Sequence, residues 1–230
     1  MIFSGFLDLT LSDYKGHAAS IVYTQGCNFN CPYCHNKSLI PLIKEAKGFS
    51  ITEVKTMIKN NPFIDGLVIT GGEPTVHKNL VDFIKEIADK NIKIKLDTNG
   101  SNPKMLKHLL DNSLIDYVAM DIKAPFNKYK SATGGFKDIK KIKDSIELIK
   151  SSQTAGEFRT TSYSWLHTKN DLKKIAAIAN HKEATESLYL KKLYLQPGTD
   201  INGTIDKQWL QTLKDISSKL NTQNFHTIVR

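Results

Sequence analysis

Three cysteines, Cys27, Cys31 and Cys34, lie in one short stretch and are the only cysteines of the chain. Their Cys-x3-Cys-x2-Cys spacing follows a predicted strand and places three thiol groups in one loop. Thiolates hold iron–sulfur clusters, so these three can bind three corners of a [4Fe-4S] cube. No fourth cysteine exists to bind the remaining iron. The sequence therefore predicts a cluster with one open iron, which indicates chemistry rather than electron storage.

Other kinds of site that these cysteines could form agree less well with the rest of the sequence. The run from Cys31 to His35 matches the attachment pattern of c-type haem. Such attachment usually follows export, and the N-terminus has no basic stretch leading into a long apolar segment. A Cys3His zinc site would need the adjacent residues Cys34 and His35 to bind one ion, whereas structural zinc ligands are usually spaced apart. An odd number of cysteines argues against a disulfide framework. Zinc stays open as the second interpretation.

The composition predicts one domain with a sizeable core, since 40% of the 230 residues are hydrophobic. No apolar run approaches the roughly 20 residues that cross a bilayer, and no targeting segment is visible, so we expect a cytoplasmic protein with no membrane partner. The formal net charge is +9, but Arg159 and Arg230 are the only arginines. Because guanine readout relies on arginine, the lysine excess predicts a solvated surface that attracts an acidic partner, not a nucleic-acid site.

Short apolar segments alternate with segments of helical periodicity. The segments typical of buried parallel strands are Ala18 to Thr24, Gly66 to Thr70, Ile92 to Asp97, Tyr117 to Ile122, Glu157 to Ser162 and Lys192 to Gln196. The helical segments are Thr52 to Asn60, Asn79 to Lys90, Pro103 to Asn112, Lys137 to Lys150, Asn170 to Asn180 and Lys207 to Leu220. Ser50, Asn102 and Asn170 are the expected helix caps.

This alternation predicts an α/β fold. We expect a partial (β/α)6 TIM-like barrel of parallel strands with outer helices rather than a doubly wound sheet. Residues 1–230 are expected to form a single domain, with an N-terminal extension or hairpin at 1–16 and the barrel core at 17–200. A C-terminal helix and edge strand are expected at 201–230. The hairpin is predicted over Ile2 to Tyr14 and the edge strand over Asn224 to Val229.

Unusual polar residues follow nearly every predicted strand. In parallel barrels and sheets, ligands bind at the C-terminal ends of the strands. The residues that the sequence places there are Cys27, Thr70 to Pro74, Asp97 to Gly100, Asp121 to Lys123, Arg159 to Ser162 and Gln196 to Gly198. Their convergence on one rim predicts a single polar pocket beside the cysteine loop.

The cysteine loop, with Tyr33 before its third cysteine, and the Gly-Gly-Glu run at 71 to 73 resemble the two marks of radical S-adenosylmethionine (SAM) enzymes. The resemblance covers almost the whole chain and is closest to glycyl-radical activating enzymes, in particular the activating proteins of anaerobic ribonucleoside-triphosphate reductase. Further segments that carry it are Gly5 to Phe6, Ser12 to Tyr14, Thr24 to Asn28, Cys34 to Asn36, Asp97 to Gly100, Ala119 to Pro125 and Arg159 to Thr161.

The resemblance implies the chemistry of the pocket. In this family the SAM amine and carboxylate chelate the open iron, the reduced [4Fe-4S] cluster donates one electron, and a 5'-deoxyadenosyl radical forms. By resemblance, Cys27, Cys31 and Cys34 are the metal ligands and the catalytic residues. The resemblance also implies the cofactor-binding residues. Tyr33 lies near the adenine, and the SAM amino group meets Gly71, Gly72 and Glu73. SAM and a monovalent cation are surrounded by Asp97, Thr98, Asn99 and Asp121, while Lys123 contacts the ribose or carboxylate and Arg159 completes the set.

Arg159 stands out because it is an interior arginine at a strand end in a chain that otherwise uses lysine. Such a position favours a fixed guanidinium fork, directed at a carboxylate of SAM or of the partner, or at a structural ion pair. Structural interpretations remain for the other motifs: a tight turn for Gly71 and Gly72, and a cap and turn for Asp97 to Gly100. His35 and His167 are expected at the surface.

The implied function is an activase that forms a glycyl radical on a partner enzyme, in the first place an anaerobic ribonucleoside-triphosphate reductase, with electrons from a flavodoxin- or ferredoxin-type donor. One alternative is a radical SAM enzyme that acts on a peptide or on a small molecule, as a 7-carboxy-7-deazaguanine synthase-like enzyme does. Another is a non-catalytic zinc or electron-transfer module. Ser162 to Trp165 and Gly198 to Gly203 depart from the pattern of the relatives where a protein substrate would enter.

Overall fold

The structure, a computed structural model, describes residues 1–42, 48–88, 92–180, 191–200, 202–222 and 225–230. The strands are β1 (Phe3–Thr10), β2 (Ala19–Thr24), β3 (Gly66–Gly71), β4 (Lys93–Thr98), β5 (Tyr117–Asp121), β6 (Ala155–Ser162), β7 (Lys192–Pro197) and β8 (Thr227–Val229). The helices are α1 (Ile51–Asn60), α2 (Leu80–Ala88), α3 (Pro103–Asp111), α4 (Tyr129–Ala132), α5 (Ile139–Ser151), α6 (Lys169–Ala179) and α7 (Lys207–Leu220).

All of these strands belong to one sheet, whose order follows the chain from β1 to β8. Every pair from β2 onward is parallel, and only β1 runs antiparallel to its neighbour. A doubly wound sheet would reverse its strand order, so this consecutive order is typical of a barrel. The sheet curls: the rings of Tyr14 and Tyr117 lie 5.7 Å apart, and Arg230 Nη2 donates to the carbonyl of Ser12 at 2.9 Å. The predicted partial barrel is confirmed.

Alternation along the strands divides the sheet into an apolar outer face and a more polar inner face. On β4, Ile94 and Leu96 belong to the core that packs under the helices. Lys95 and Asp97 alternate with them along the strand and therefore face the inner side of the sheet. The outer face excludes water through apolar burial, which supplies most of the folding free energy. The inner face instead carries paired charges toward the C-terminal ends of the strands, where the pocket opens.

Helix starts follow the expected capping chemistry in two of three places. Ser50 caps α1 in a capping box, in which the N–H of Ser50 donates to Glu53 at 2.8 Å. Asn102 caps α3. The prediction of Asn170 as a cap is wrong, because Thr168 caps α6 and Asp171 completes a reciprocal capping box with it.

The structure also differs from the predictions at the N-terminal strand and in one short helix. Ile2 to Tyr14 does not form a hairpin by itself, since β1 pairs along the open edge of β2. Helix α4 was not predicted, because so short a segment carries no clear periodicity. Residues 89–90 of the predicted second helix and residue 224 of the last strand lie outside the described residues. No described helix has the length and apolar character needed to cross a membrane.

Candidate active site

The cysteine loop follows β2 and is tied to its surroundings by backbone hydrogen bonds. The N–H of Cys27 donates to the carbonyl of Ile40 at 3.0 Å, and the N–H of Asn30 donates to the carbonyl of Thr133 at 2.9 Å. Cys31 is buried, the other two cysteines are half-buried, and none forms a disulfide. The first half of the loop, from Cys27 to Asn30, is therefore fixed to its surroundings, and none of the three thiols is used in a disulfide.

The three thiols are the donor type that holds iron–sulfur clusters, and none of them is used in a disulfide. No three His, Cys, Asp or Glu side chains in the described part of the chain are placed to hold one metal ion, whereas a [4Fe-4S] cube takes one thiolate on each of three irons. Burial raises the pKa of Cys27 to about 11, although the N–H of Phe29 donates to its Sγ. The thiol keeps its proton until a metal replaces it. His35, required by the zinc interpretation, instead lies with Nε2 3.0 Å from the hydroxyl of Tyr163.

The end of β3 packs directly on the backbone of the cysteine loop. The N–H of Gly72 donates to the carbonyl of Thr24 and that of Glu73 to the carbonyl of Gly26, both at 2.8 Å. A Cβ on Gly72 would overlap the Gly26 carbonyl, and Gly71 has a φ of +112°. Both glycines are thus required by the close approach of this strand end to the backbone of β2 and the cysteine loop.

The carboxylate of Glu73 is buried and faces β4. Its Oε1 accepts from the hydroxyl of Thr98 at 2.7 Å and from the N–H of Thr75 at 3.1 Å, and its Oε2 accepts from the N–H of Asn99 at 2.6 Å. Burial raises the pKa of Glu73, and the hydrogen bonds oppose this effect. The side chain therefore joins the ends of β3 and β4, and its backbone is the part nearest the cysteine loop.

A group of four charged residues lies together at three neighbouring strands, β4, β5 and β6, with its lysine two residues beyond the end of β5. These residues, called the charged group below, are Asp97, Asp121, Lys123 and Arg159. Arg159 Nη1 lies 3.0 Å from Asp97 Oδ2, and Arg159 Nε lies 3.0 Å from Asp121 Oδ1. Lys123 Nζ lies 2.8 Å from the other oxygen, Asp121 Oδ2. The single interior arginine thus connects β6 across β5 to β4, as a fixed guanidinium fork can.

The charges of this group are stabilised mutually. Burial by itself would raise the pKa of Asp121, but the nearby charges of Lys123 and Arg159 lower it to about 2. Burial would also lower the pKa values of Lys123 and Arg159, yet the carboxylates raise both. Asp121, Lys123 and Arg159 are therefore ionised at neutral pH and present fixed charges to the pocket.

An aromatic wall closes one side of the pocket. The ring of Tyr163 lies 5.2 Å from that of Tyr33 and 5.3 Å from that of Trp165. Gly198 supports Tyr163 from behind, because a side chain there would overlap its ring. Trp165 is 63% exposed at the rim. Tyr163 and Gly198, one residue from each of the two segments where a protein substrate was expected to enter, therefore meet at this wall. Residue 201 of the second segment lies outside the described residues.

His167 is buried, so the expectation of a surface histidine is wrong. Its Nδ1 lies 3.3 Å from the N–H of Tyr163, and its Nε2 lies 3.0 Å from the carbonyl of Lys123. Burial lowers the pKa of His167, so the neutral ring accepts at Nδ1 and donates at Nε2. Tyr129 holds the same segment, since its hydroxyl accepts from the N–H of Lys123 at 3.3 Å. Both residues position Lys123.

All of the site residues predicted from the sequence line one open pocket at the C-terminal ends of the parallel strands. They are Cys27, Cys31, Tyr33, Cys34, Gly71, Gly72, Glu73, Asp97, Thr98, Asn99, Asp121, Lys123 and Arg159. Ile40 and Tyr163 also line it. Phe29 lines it too, and neither Phe29 nor Ile40 was predicted from the sequence, whereas Tyr163 belongs to the segment Ser162 to Trp165 where a protein substrate was expected to enter.

Comparison with known proteins identifies the family of the chain. Residues 21–181 match the Radical SAM superfamily. The relative named "Putative glycyl-radical enzyme activating enzyme MJ1227", from Methanocaldococcus jannaschii, is 37% identical over 178 residues, covering 75% of this chain and 73% of that protein. A pyruvate formate-lyase-activating enzyme of Clostridium pasteurianum is 29% identical over 140 residues, covering 55% of this chain and 57% of that protein.

Solved structures share the fold at lower identity. QueE from Escherichia coli gives a TM-score of 0.61 at 14% identity, covering 100% of this chain and 92% of that chain. The structure described as native anSMEcpe with bound AdoMet gives a TM-score of 0.65 at 18% identity, covering 90% of this chain and 61% of that chain. These likenesses show the fold alone.

The matched residues carry β2 to β6 and hence most of the pocket. The resemblance drawn from the cysteine loop and the Gly-Gly-Glu run is thereby confirmed, and the family implies a [4Fe-4S] cluster and SAM as cofactors. The chain belongs to the radical SAM superfamily and is an enzyme of the group that includes the glycyl-radical enzyme activating enzymes.

Proposed function

We propose that this protein is an activase that cleaves SAM reductively at a [4Fe-4S] cluster and forms a glycyl radical on a partner enzyme. The observation that carries the proposal is one shared pocket: three free thiols, the close-packed backbone of Gly72 and the charged group all open into it. When bound, the reduced cluster and SAM supply a 5'-deoxyadenosyl radical that abstracts a hydrogen atom from a glycine Cα.

Each part of the pocket has a role in this proposal. Cys27, Cys31 and Cys34 hold three irons and leave the fourth open to SAM. The backbone at Gly71 and Gly72 receives the SAM amine, because the glycines permit close approach. Thr98 and Asn99 reach this end of β3 through Glu73.

The remaining contacts serve the other parts of SAM. Lys123 and Arg159 provide positive charge for the carboxylate of SAM. The half-buried ring of Tyr33 offers a flat surface to the adenine. Asp97 and Asp121 set the positions of the two cationic side chains rather than binding SAM directly.

The choice of partner rests on the relatives. The MJ1227 relative and the pyruvate formate-lyase-activating enzyme are named for activation of glycyl-radical enzymes. We propose an anaerobic ribonucleoside-triphosphate reductase as the partner, in the cytoplasm, with a flavodoxin- or ferredoxin-type electron donor. The exposed Trp165 at the rim gives an approaching glycyl loop an aromatic contact.

The test uses electron paramagnetic resonance on the partner. Cluster-loaded protein, reductant and SAM are mixed without oxygen with the anaerobic ribonucleoside-triphosphate reductase of the same organism. We expect a glycyl-radical signal that Lys123→Met abolishes and that Lys140→Met, an exposed control, leaves intact. Production of 5'-deoxyadenosine without any glycyl radical would contradict the choice of partner and favour another substrate.

A further inference from the structure

The charged group contains a cation of its own at the place where the sequence predicts a bound one. We propose that the guanidinium of Arg159 takes the place of a monovalent cation between Asp97 and Asp121, so that the SAM site needs no potassium or sodium ion. This inference rests on the proposed SAM site and concerns how that site is built.

The carboxylate oxygens are largely occupied by side chains of the protein. Arg159 uses one oxygen of Asp97 and one of Asp121, each at 3.0 Å, and Lys123 uses the second oxygen of Asp121 at 2.8 Å. Only Asp97 Oδ1 accepts no hydrogen bond from a described residue, and Lys95 Nζ lies 3.5 Å from it. Hard cations need several oxygen ligands, and this group leaves one. A monovalent ion therefore does not fit between the two aspartates.

The charge balance leads to the same conclusion. The two carboxylates face three cationic side chains, Lys95, Lys123 and Arg159, and the buried Glu157 also acts on Arg159. The acidic side chains are therefore already balanced by cations of the protein before any ion binds. A further cation would meet the guanidinium in a site where Arg159 and Asp97 are each only 14% exposed and solvent screens poorly. The guanidinium itself supplies the positive charge that a bound ion would otherwise offer to the carboxylate of SAM.

The guanidinium also has a donor left for a ligand. Among the described residues, the hydrogen bonds of the Arg159 side chain use Nε and Nη1, and Arg159 lines the pocket. Nη2 is then free to meet an anionic group. Arginine stays charged at any pH at which the protein folds, so this cation is permanent and does not exchange with the solvent.

The experiment compares choline, sodium and potassium chloride at equal ionic strength. The SAM dissociation constant is measured by equilibrium dialysis with the oxidised, cluster-loaded protein, and the melting temperature with the metal-free protein. The wild type is expected to give the same values in all three salts. Arg159→Gln removes the charge and exposes both aspartates, so its SAM affinity in choline should fall about tenfold or more. Potassium or sodium should restore part of it and raise the melting temperature of this variant.

Lys140→Gln is the control, since Lys140 is an exposed residue of α5 whose side chain pairs with Asp144; it should behave as the wild type in every salt. A rise in wild-type affinity or melting temperature with potassium or sodium over choline would overturn the inference. If Arg159→Gln does not fold, Arg159→Lys replaces it because lysine keeps the positive charge. The salt dependence of the wild type still tests the inference in that case. If the wild type binds no SAM in any salt, the proposed function fails, while the melting temperatures still test the cation.

Discussion

The N–H of Asn99 donates to Oε2 of Glu73 at 2.6 Å, so a buried carboxylate joins the ends of β3 and β4. Glu73, the last residue of the Gly-Gly-Glu run, thus directs its side chain to the end of β4. It joins the strand ends whose backbone faces the cysteine loop.

Replacing Glu73 with glutamine should destabilise the protein and weaken SAM binding. The amide NH2 would meet the N–H groups and hydroxyls that now donate to the carboxylate, which leaves buried donors unpaired. We expect a loss of about 1–3 kcal/mol in the free energy of unfolding in urea. Glu147→Gln, at an exposed position on α5, is the control and should change little. Equal stability of the two variants would show that the buried carboxylate does not join the strands.

Replacing Gly72 with alanine should displace the end of β3 from the cysteine loop. A Cβ there would overlap the carbonyl of Gly26, and a backbone atom cannot move aside as a side chain can. The expected result is a loss of cluster content after reconstitution, read from iron and sulfide analysis. Gly16→Ala is the control, because Gly16 has a φ of +87° but open space around it. That variant should lose about 1 kcal/mol of stability and keep its cluster. A fully loaded Gly72→Ala protein would contradict the prediction.

Replacing Tyr163 with phenylalanine removes the hydroxyl that contacts His35 and keeps the ring. The contact connects the β6 loop to the residue after Cys34. Because the site is only half-buried, we expect less than about 1 kcal/mol of lost stability, but faster loss of iron to a chelator. Tyr163→Ala should remove the wall as well and weaken SAM binding. If Tyr163→Phe released iron at the wild-type rate, the contact would have no role in holding the loop.

The pH dependence of stability should reveal Asp171, which completes the capping box of α6. Burial opposes ionisation, but Lys128 Nζ at 2.6 Å and the N–H and hydroxyl of Thr168 lower the pKa of Asp171 to about 2. A lowered folded-state pKa stabilises the protein above the unfolded value of 3.8, and this contribution is lost as the pH falls toward 2.

Asp171→Asn should therefore be less stable than the wild type by about 1–2 kcal/mol at neutral pH. The difference should shrink as the pH falls from about 4 toward 2. Chemical denaturation of both proteins across this range is the measurement, with Asp215→Asn as an exposed control. A constant difference between wild type and Asp171→Asn would contradict the assignment.

Much of the fold was predictable because the local sequence patterns agree with the strands and helices that form. Short β-branched segments alternate with amphipathic ones, and parallel strands place their C-terminal ends on one rim. For this reason polar residues far apart in sequence, such as Cys27 and Arg159, could be assigned to one pocket. Thr168, rather than Asn170, caps α6 because its partner Asp171 completes the capping box, and the pattern of apolar residues carries no information about that pairing.

The supporting residues of the site were not predictable in the same way. His167 and Tyr129 hold Lys123 through its backbone carbonyl and N–H, and these contacts depend on how two loops fold toward each other. The pairing of Arg159 with both aspartates likewise depends on its reach across β5. Sequence indicated that the arginine needed a partner, and the register of the strands determines which carboxylates it meets.

The central claim is that the three cysteines support SAM cleavage. The direct test is anaerobic reconstitution with iron and sulfide, reduction, addition of SAM, and chromatography for 5'-deoxyadenosine, with Cys31→Ala in parallel. The account predicts 5'-deoxyadenosine from the wild type and none from the variant. A fully loaded [4Fe-4S] protein that binds SAM but forms no 5'-deoxyadenosine, or a Cys31→Ala protein that forms as much as the wild type, would contradict it.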